Sequence, residues 1–325
     1  MPARRQLLQS AAAIPFALFG SCNAFAQAYP GRPVRVIVAS GLGGQTDTTA
    51  RLLTAKLTQS LGQPFVIENM GGAAGSVGTV AVARAASDGY TLLAAGSSFA
   101  INVSLYSKIY YDPYKDFAPI SLLCSSPHML VIHPSVQAKS VNELVALARA
   151  NPGKYSYSSA GPGTPAHLAG ELFKQAFGVD ITHVPFRGGG PGITSTLGGH
   201  TSLAVTALPT GVSYVRDGKL RALAMFSSKR AWTLPGVPTM AEATGHDLPA
   251  DIVNGFLAPA NTPRPIIDSI HREIVKAMAE SDTRERLAKM GFDPVASTPE
   301  EFETWIKTEI VRWGKVIRDA KITAD

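Results

Sequence analysis

The residues of this chain best suited to chemistry are four glycine-rich segments. They are Ser40-Gly41-Leu42-Gly43-Gly44, Gly71-Gly72-Ala73-Ala74-Gly75, Ala160-Gly161-Pro162-Gly163-Thr164 and Arg187-Gly188-Gly189-Gly190. Each follows an apolar β-type run and precedes a helix-length segment. Glycine lets the backbone come close to a ligand. The first turn of a helix leaves N–H groups without intrahelical acceptors and carries partial positive charge. Each segment is therefore a candidate anion cradle. One helix terminus supplies roughly 0.3–1 kcal/mol, or about 2 when partly buried. Micromolar binding needs about 8 kcal/mol. A single loop cannot provide that, and by itself it need do no more than turn the chain. Several loops converging on one guest can.

Covalent and metal chemistry find little support. Gly41-Leu42-Gly43 with Glu68 after the next strand imitates a dinucleotide fingerprint, but Thr46 stands where the third glycine belongs. The chain has no G-K-[ST] phosphate loop and no G-x-S-x-G elbow. Its seven histidines form no H-E-x-x-H pattern, so His128 and His133 are not expected to hold a metal. Cys124, within Leu122-Leu123-Cys124, reads as a small core residue. Isolated acids such as Asp88, Asp217 and Asp251 could form an acid/base pair only through a tertiary contact. Neither a catalytic residue nor a cofactor is expected.

The elements that must position these loops alternate regularly. Val34–Val38, Phe65–Ile67 and Thr91–Ala95 read as strands, with helices from about 46 to 59 and up to Ala85 between them. A second series follows His133-Pro134: a helix opened by a capping box at Ser140 and Glu143, then strands at 155–159, 181–184, 203–207 and 220–226. Helices are expected at 164–177, 265–280 and 299–319, the last with Phe302, Ile306, Ile310, Trp313 and Ile317 at helical spacing. Such alternation predicts two α/β lobes built on parallel-rich sheets. The chain would leave the first lobe near 124–133 and return near 251–260. That assigns 27–127 and 251–325 to one lobe and 128–250 to the other, with a two-crossing hinge around a cleft.

The compartment is written at the N-terminus. Arg4 and Arg5, the apolar stretch from Leu7 to Phe19 and Ala24-Phe25-Ala26 form a signal peptide with cleavage after Ala26, exported by the general or the twin-arginine route. Cys22 lies in a poor lipoprotein context. Removal leaves Cys124 as the one cysteine, so no intramolecular disulfide is possible. The net charge of +6 falls to +4 when Arg4 and Arg5 depart. No Lys/Arg run suggests nucleic acid.

At the glycine loops the chain resembles the Bug family, extracytoplasmic solute receptors of tripartite tricarboxylate transporters. The resemblance spans the mature chain. It is carried by Gly43-Gly44-Gln45-Thr46-Asp47 with Ala50-Arg51, Glu68-Asn69 with Gly72 and Gly75, and Asp88-Gly89-Tyr90-Thr91-Leu92-Leu93. Ala100-Ile101-Asn102 with Leu105-Tyr106, Ser159-Ala160-Gly161 with Gly163-Thr164-Pro165, and His167-Leu168-Ala169 continue the series. His183-Val184-Pro185-Phe186-Arg187-Gly188 and Leu197-Gly198-Gly199 complete it.

The resemblance implies a type II periplasmic-binding fold that closes on a mono- or dicarboxylate, an amino acid or an aromatic acid, mainly through backbone groups and water. A monomeric periplasmic protein serving integral-membrane permease subunits would follow. The ligand would meet Ser40, Leu42, Gly43, Gly44, Met70, Ser97, Ser98 and Phe99 from the first lobe. From the second it would meet Gly161, Gly163, Thr164, His167, Arg187, Gly188 and Thr206. Asp47 is expected to cap its helix or partner its dipole, Arg187 either to pair with the ligand or to hold its loop, and His167 either to touch the ligand or to pack. Three departures stand out. Ala39-Ser40-Gly41-Leu42 replaces a Pro-rich opening, Met70-Gly71 replaces Arg-Pro, and Phe99 replaces a polar residue. Met70 and Phe99 add apolar surface, which suggests a ligand with an apolar or aromatic body. A periplasmic enzyme acting on a carboxylate, or a receptor feeding a membrane signalling protein, are the alternatives.

Overall fold

The computed structural model describes residues 29–323. The expected leader, its cleavage point and Cys22 lie outside them. The first lobe opens with β1 (Val34–Val38), which is buried except at Arg35. Helix α1 (Gln45–Leu61) follows and ends on Gly62 in the left-handed region. β2 (Phe65–Asn69), a short turn at Ala73–Gly75 and α2 (Ser76–Ala83) lead to β3 (Thr91–Gly96) and α3 (Ser98–Leu105). β4 (Phe117–Ser126) then runs into the second lobe, where β5 (His128–Ile132) begins.

The second lobe continues with α4 (Val141–Ala150), β6 (Ser156–Ser159), α5 (Pro165–Phe177) and β7 (Thr182–Pro185). Next come α6 (Gly189–Leu197), β8 (Leu203–Ala207), α7 (Leu208–Arg216), β9 (Arg221–Phe226) and α8 (Met240–Thr244). Ser140 caps α4, its hydroxyl taking the Glu143 amide, but the expected capping box does not close, because the Glu143 carboxylate takes the Lys139 amide in place of that of Ser140. The chain returns through β10 (Ile252–Pro259) to α9 (Arg264–Ala279), α10 (Ser281–Lys289), β11 (Asp293–Pro294) and α11 (Pro299–Asp319).

The first sheet has the order β11-β4-β10-β3-β1-β2 and the second β7-β6-β8-β5-β9. β1 is parallel to β2 and β3, and β6 is parallel to β7 and β8. Each sheet also carries an inserted antiparallel strand: β10 between β3 and β4, and β5 between β8 and β9. Their direction follows from the crossings. Pro127 alone separates β4 from β5. A strand arriving there starts at the edge where its parallel neighbours end, so it must run against them. The sheets are mixed for this reason. The crossings are tied together, since His128 Nδ1 donates to Ala250 O at 2.6 Å and the Ala250 amide to Phe226 O at 2.9 Å.

Apolar clusters cover both faces of each sheet. Helix α11 belongs to both lobes. Phe302, Ile306 and Ile310 pack in the first lobe, while Trp313, Val316 and Ile317 pack in the second with Ile101 and Leu105 of α3. At about 1.5–3 kcal/mol per buried large side chain, this is a substantial link outside the crossings. Cys124 is fully buried and burial pushes its thiol up to about 12, which suits a core residue and not a nucleophile.

Candidate functional site

Strand direction places the glycine loops. β1, β2 and β3 end at the edge of the first sheet from which β4 departs. β6, β7 and β8 end at the edge of the second sheet where β5 begins. The loops after these strands therefore stand on facing edges of two sheets joined at Pro127, the usual place for a ligand in α/β proteins.

Within each lobe the loops pack in pairs. In the first, a Cβ on Gly71 would lie 3.3 Å from the Gly41 nitrogen, and one on Gly75 2.5 Å from Ala39 O. In the second, a Cβ on Gly161 would lie 3.0 Å from Phe186 O, and the Gly188 amide donates to Ala160 O at 3.1 Å. Such backbone proximity leaves no room for side chains at Gly75, which also has a φ of 92°.

Two of the loops share one local design. The Gly44 amide donates to Gly41 O at 3.2 Å, and the Thr164 amide to Gly161 O at 3.3 Å. The preceding glycines, Gly43 (φ 76°) and Gly163 (φ 69°), give their amides to a side chain four residues ahead. Gly43 donates to Asp47 Oδ2 at 2.8 Å, and Gly163 to His167 Nδ1 at 3.0 Å. Asp47 also receives Asn69 Nδ2 at 2.9 Å and pairs with Arg51 at 3.0 Å. Burial works to raise its carboxyl, but the hydrogen bonds from Arg51, Asn69 and the Gly43 amide outweigh this and hold it below the usual carboxylate range. Asp47 thus stands as a carboxylate in the first turn of α1 and holds the amide of the loop ahead of it, while the N-cap Gly44 has no side-chain cap. The amides of Gly43 and Gly163 are bound within the protein, so their contribution is backbone shape.

The other expected contacts divide sharply. Leu42 is 78% exposed at the tip of its loop. Gly41, Gly43, Gly188 and Gly190 face open space. Ser40, Met70, Ser98 and Thr164 are partly exposed along the same edges. Arg187 is exposed and makes no ion pair or hydrogen bond among the described residues. The Thr206 hydroxyl at the end of β8 is buried without a partner among the described residues, as is that of Ser126 at the crossing. The sequence offered no signal for Ser126, because its place depends on the hinge.

Three residues turn away. Phe99 stacks on Tyr111 with centroids 5.6 Å apart and meets Phe117 edge-on at 5.1 Å, so its ring belongs to the first-lobe core. The rotation of α3 decides this. Ser97 accepts from the Val253 amide at 3.0 Å and donates to Asp251 O at 3.4 Å, fastening β3 to the returning strand. His167 is buried, its ring stacked on His183 at 4.0 Å.

A cavity of about 280 Å³ lies elsewhere, between Tyr114, Phe117, Arg264, Glu300 and Lys307 at the start of β4. That is the sheet edge opposite the crossings, and its charges are paired internally, Arg264 with Asp268 and Glu300. No group of three or more His, Cys, Asp or Glu among the described residues could hold a metal. No helix among them is long and apolar enough to cross a membrane.

Residues 49–322 match the profile of the tripartite tricarboxylate transporter family receptor, TctC. The chain belongs to this family. TctC proteins are receptors and not enzymes, which removes the catalytic alternative. BugT of Bordetella pertussis is 38% identical over 296 residues, covering 90% of this chain and 91% of BugT. Among solved structures, the periplasmic binding protein BugD is 32% identical with a TM-score of 0.76, covering 91% of this chain and 99% of its own. Rpa4515 of R. palustris with adipate is 32% identical, TM-score 0.79, with 91% and 99% covered. MatC of Rhodopseudomonas palustris with bound malate is 33% identical, TM-score 0.75, with 89% and 100% covered. The two-lobe periplasmic-binding architecture is therefore the family fold.

Proposed function

We propose that this TctC receptor is exported to the periplasm, captures a small carboxylate between its lobes and delivers it to tripartite-type permease subunits. One observation carries the reading: glycine loops from both lobes stand on facing sheet edges joined by the crossings. In this reading residues 27–127 and 251–325 move against 128–250, the leader leaves after Ala26, and the receptor works as a monomer. Ser40, Leu42, Gly44, Met70 and Ser98 meet the guest from one side, and Gly161, Thr164, Arg187, Gly188 and Thr206 from the other. Gly43 and Gly163 shape their loops from within. The bound adipate and malate of the relatives support a carboxylate here. With Phe99 in the core, Leu42 and Met70 are left to favour an apolar body.

A thermal-shift panel on the leader-free protein tests this, using adipate, malate, aspartate and benzoate. A carboxylate at about a hundred times its dissociation constant adds roughly 2.7 kcal/mol to stability. A flat response across the panel overturns the proposal. Mass spectrometry of gently purified protein that finds only aspartate or citrate overturns the apolar body.

A further inference from the structure

Beneath the loop Ala160–Thr164 lies a pair of imidazoles that the ligand reading leaves unused. His167, on α5, and His183, on β7, stack with ring centroids 4.0 Å apart and planes 11° from parallel. Tyr157 of β6 stacks on the far side of His183 at 4.8 Å. Each imidazole reaches one glycine of the loop. His167 Nδ1 accepts the Gly163 amide directly at 3.0 Å. His183 Nε2 lies 2.7 Å from Ser159 Oγ, and that oxygen accepts the Gly161 amide at 3.1 Å. Of the two acceptors within reach of the Ser159 hydroxyl, His183 Nε2 at 2.7 Å and Gly161 O at 3.4 Å, the nearer takes its hydrogen. Both rings therefore act through an unprotonated nitrogen, and both must be neutral to do so.

We propose that His167 and His183 are positioning residues: a neutral stacked pair that fixes the amides of Gly161 and Gly163, and so sets the second lobe's ligand loop without touching the ligand. The proposal rests on the carboxylate reading for what the loop binds. It makes His167 a support, where the sequence left contact and packing open.

The surroundings keep the pair neutral. Desolvation lowers His167, with Glu171 opposing and Lys174 assisting. Desolvation brings His183 down to about 3, helped by His167 and Lys174. The facing charged groups are Glu171 and Lys174 of α5. Glu171 is occupied by Tyr157 OH at 2.8 Å and Lys174 Nζ at 2.9 Å, and its Oε1 lies 3.9 Å from His167 Nε2. A proton on His167 Nδ1 would break the contact to Gly163, one on His183 Nε2 would turn the Ser159 hydrogen away, and either would place a cation 4.0 Å from its stacked neighbour. Gly163 also seats against Leu105 of the first lobe, where a Cβ would come within 2.2 Å. The pair therefore fixes a point of contact between lobes.

The test compares the leader-free wild type with His167→Phe, which keeps the stack but loses the acceptor, with His167→Asn, which keeps an acceptor near Nδ1, and with His183→Phe. Titrations from pH 5 to 8 use whichever of adipate, malate, aspartate and benzoate shifts the wild type most. The Phe variants are expected to weaken binding about tenfold or more and to lose exchange protection at Gly161 or Gly163, while His167→Asn stays within about threefold. Wild-type affinity and Gly163 protection in His167→Phe overturn the proposal. Imidazole ¹⁵N shifts of the wild type provide an arm that needs no variant and no ligand. His167 should appear as the Nε2–H tautomer without titrating near the ordinary value of about 6.5. A midpoint there overturns the neutral pair, whereas silence across the carboxylate panel sinks only the functional reading.

Discussion

The openings of α1 and α5 make the same turn with different chemistry. In both, a left-handed glycine precedes the N-cap and gives its amide to the third helical residue. The first lobe uses a carboxylate, Asp47, surrounded by Arg51 and Asn69. The second uses a neutral imidazole, His167, beneath a layer of other rings. A carboxylate in the first turn of α1 offsets part of the positive helix end, and Arg51 restores the balance. The imidazole leaves the end of α5 unopposed but must remain dry and uncharged. Backbone shape is thus shared, while tolerance of crowding and of acid is not.

The largest effect that sharpens this comparison comes from adding one methyl group to each glycine. Gly43→Ala meets open space and should cost about 1 kcal/mol, the strain of a left-handed alanine. Gly163→Ala adds a clash with Leu105 and should cost about 3 kcal/mol or more. Denaturant midpoints decide it, and equal losses would erase the distinction.

Acid should separate the lobes next. His128 and His183 have folded values of about 4 and about 3, below their unfolded value. Between those values and about 6.5 the unfolded chain binds more protons, so their stabilisation is lost as pH falls below about 6.5. Asp47 is also depressed, so its stabilisation persists until pH falls below about 4. Asp251 opposes the histidines. Burial raises it to about 6, the folded state binds the extra proton, and acid from pH 6 to 4 relieves a penalty at the hinge. Between pH 7 and 5, amides of β5–β9 should lose about 1–2 kcal/mol more exchange protection than those of β1–β3. Equal losses in both lobes would contradict the assignment.

The smallest stability effect belongs to Arg187→Gln. An exposed guanidinium with no ion pair among the described residues should leave the unfolding midpoint within about 0.5 kcal/mol. Carboxylate affinity should fall about tenfold if Arg187 meets the guest. A destabilised variant with intact affinity would show that the side chain holds its loop.

Much of the fold was legible because its signals are local. The apolar run Val34–Val38, the cap at Ser140 and Glu143 and the heptad-like spacing from Phe302 to Ile317 act over a few residues, and the corresponding elements form where expected. The glycine loops were readable for the same reason, since left-handed turns need glycine at Gly43, Gly163 and Gly188. The directions of β5 and β10 were not readable. They depend on which sheet edge receives the chain after a crossing. His183 gave no sign of its role, because its partners Ser159 and His167 come from other elements.

By itself the sequence determined the alternation of strands and helices, the glycine turns after four strands and the family to which they belong. Those properties reside in backbone preferences and side-chain periods along the chain. Tertiary structure alone decided that Phe99 faces a core, that Ser97 holds a hinge strand and that α11 serves both lobes. Each of these is a contact between distant residues, and a side chain's direction is set by what packs against it.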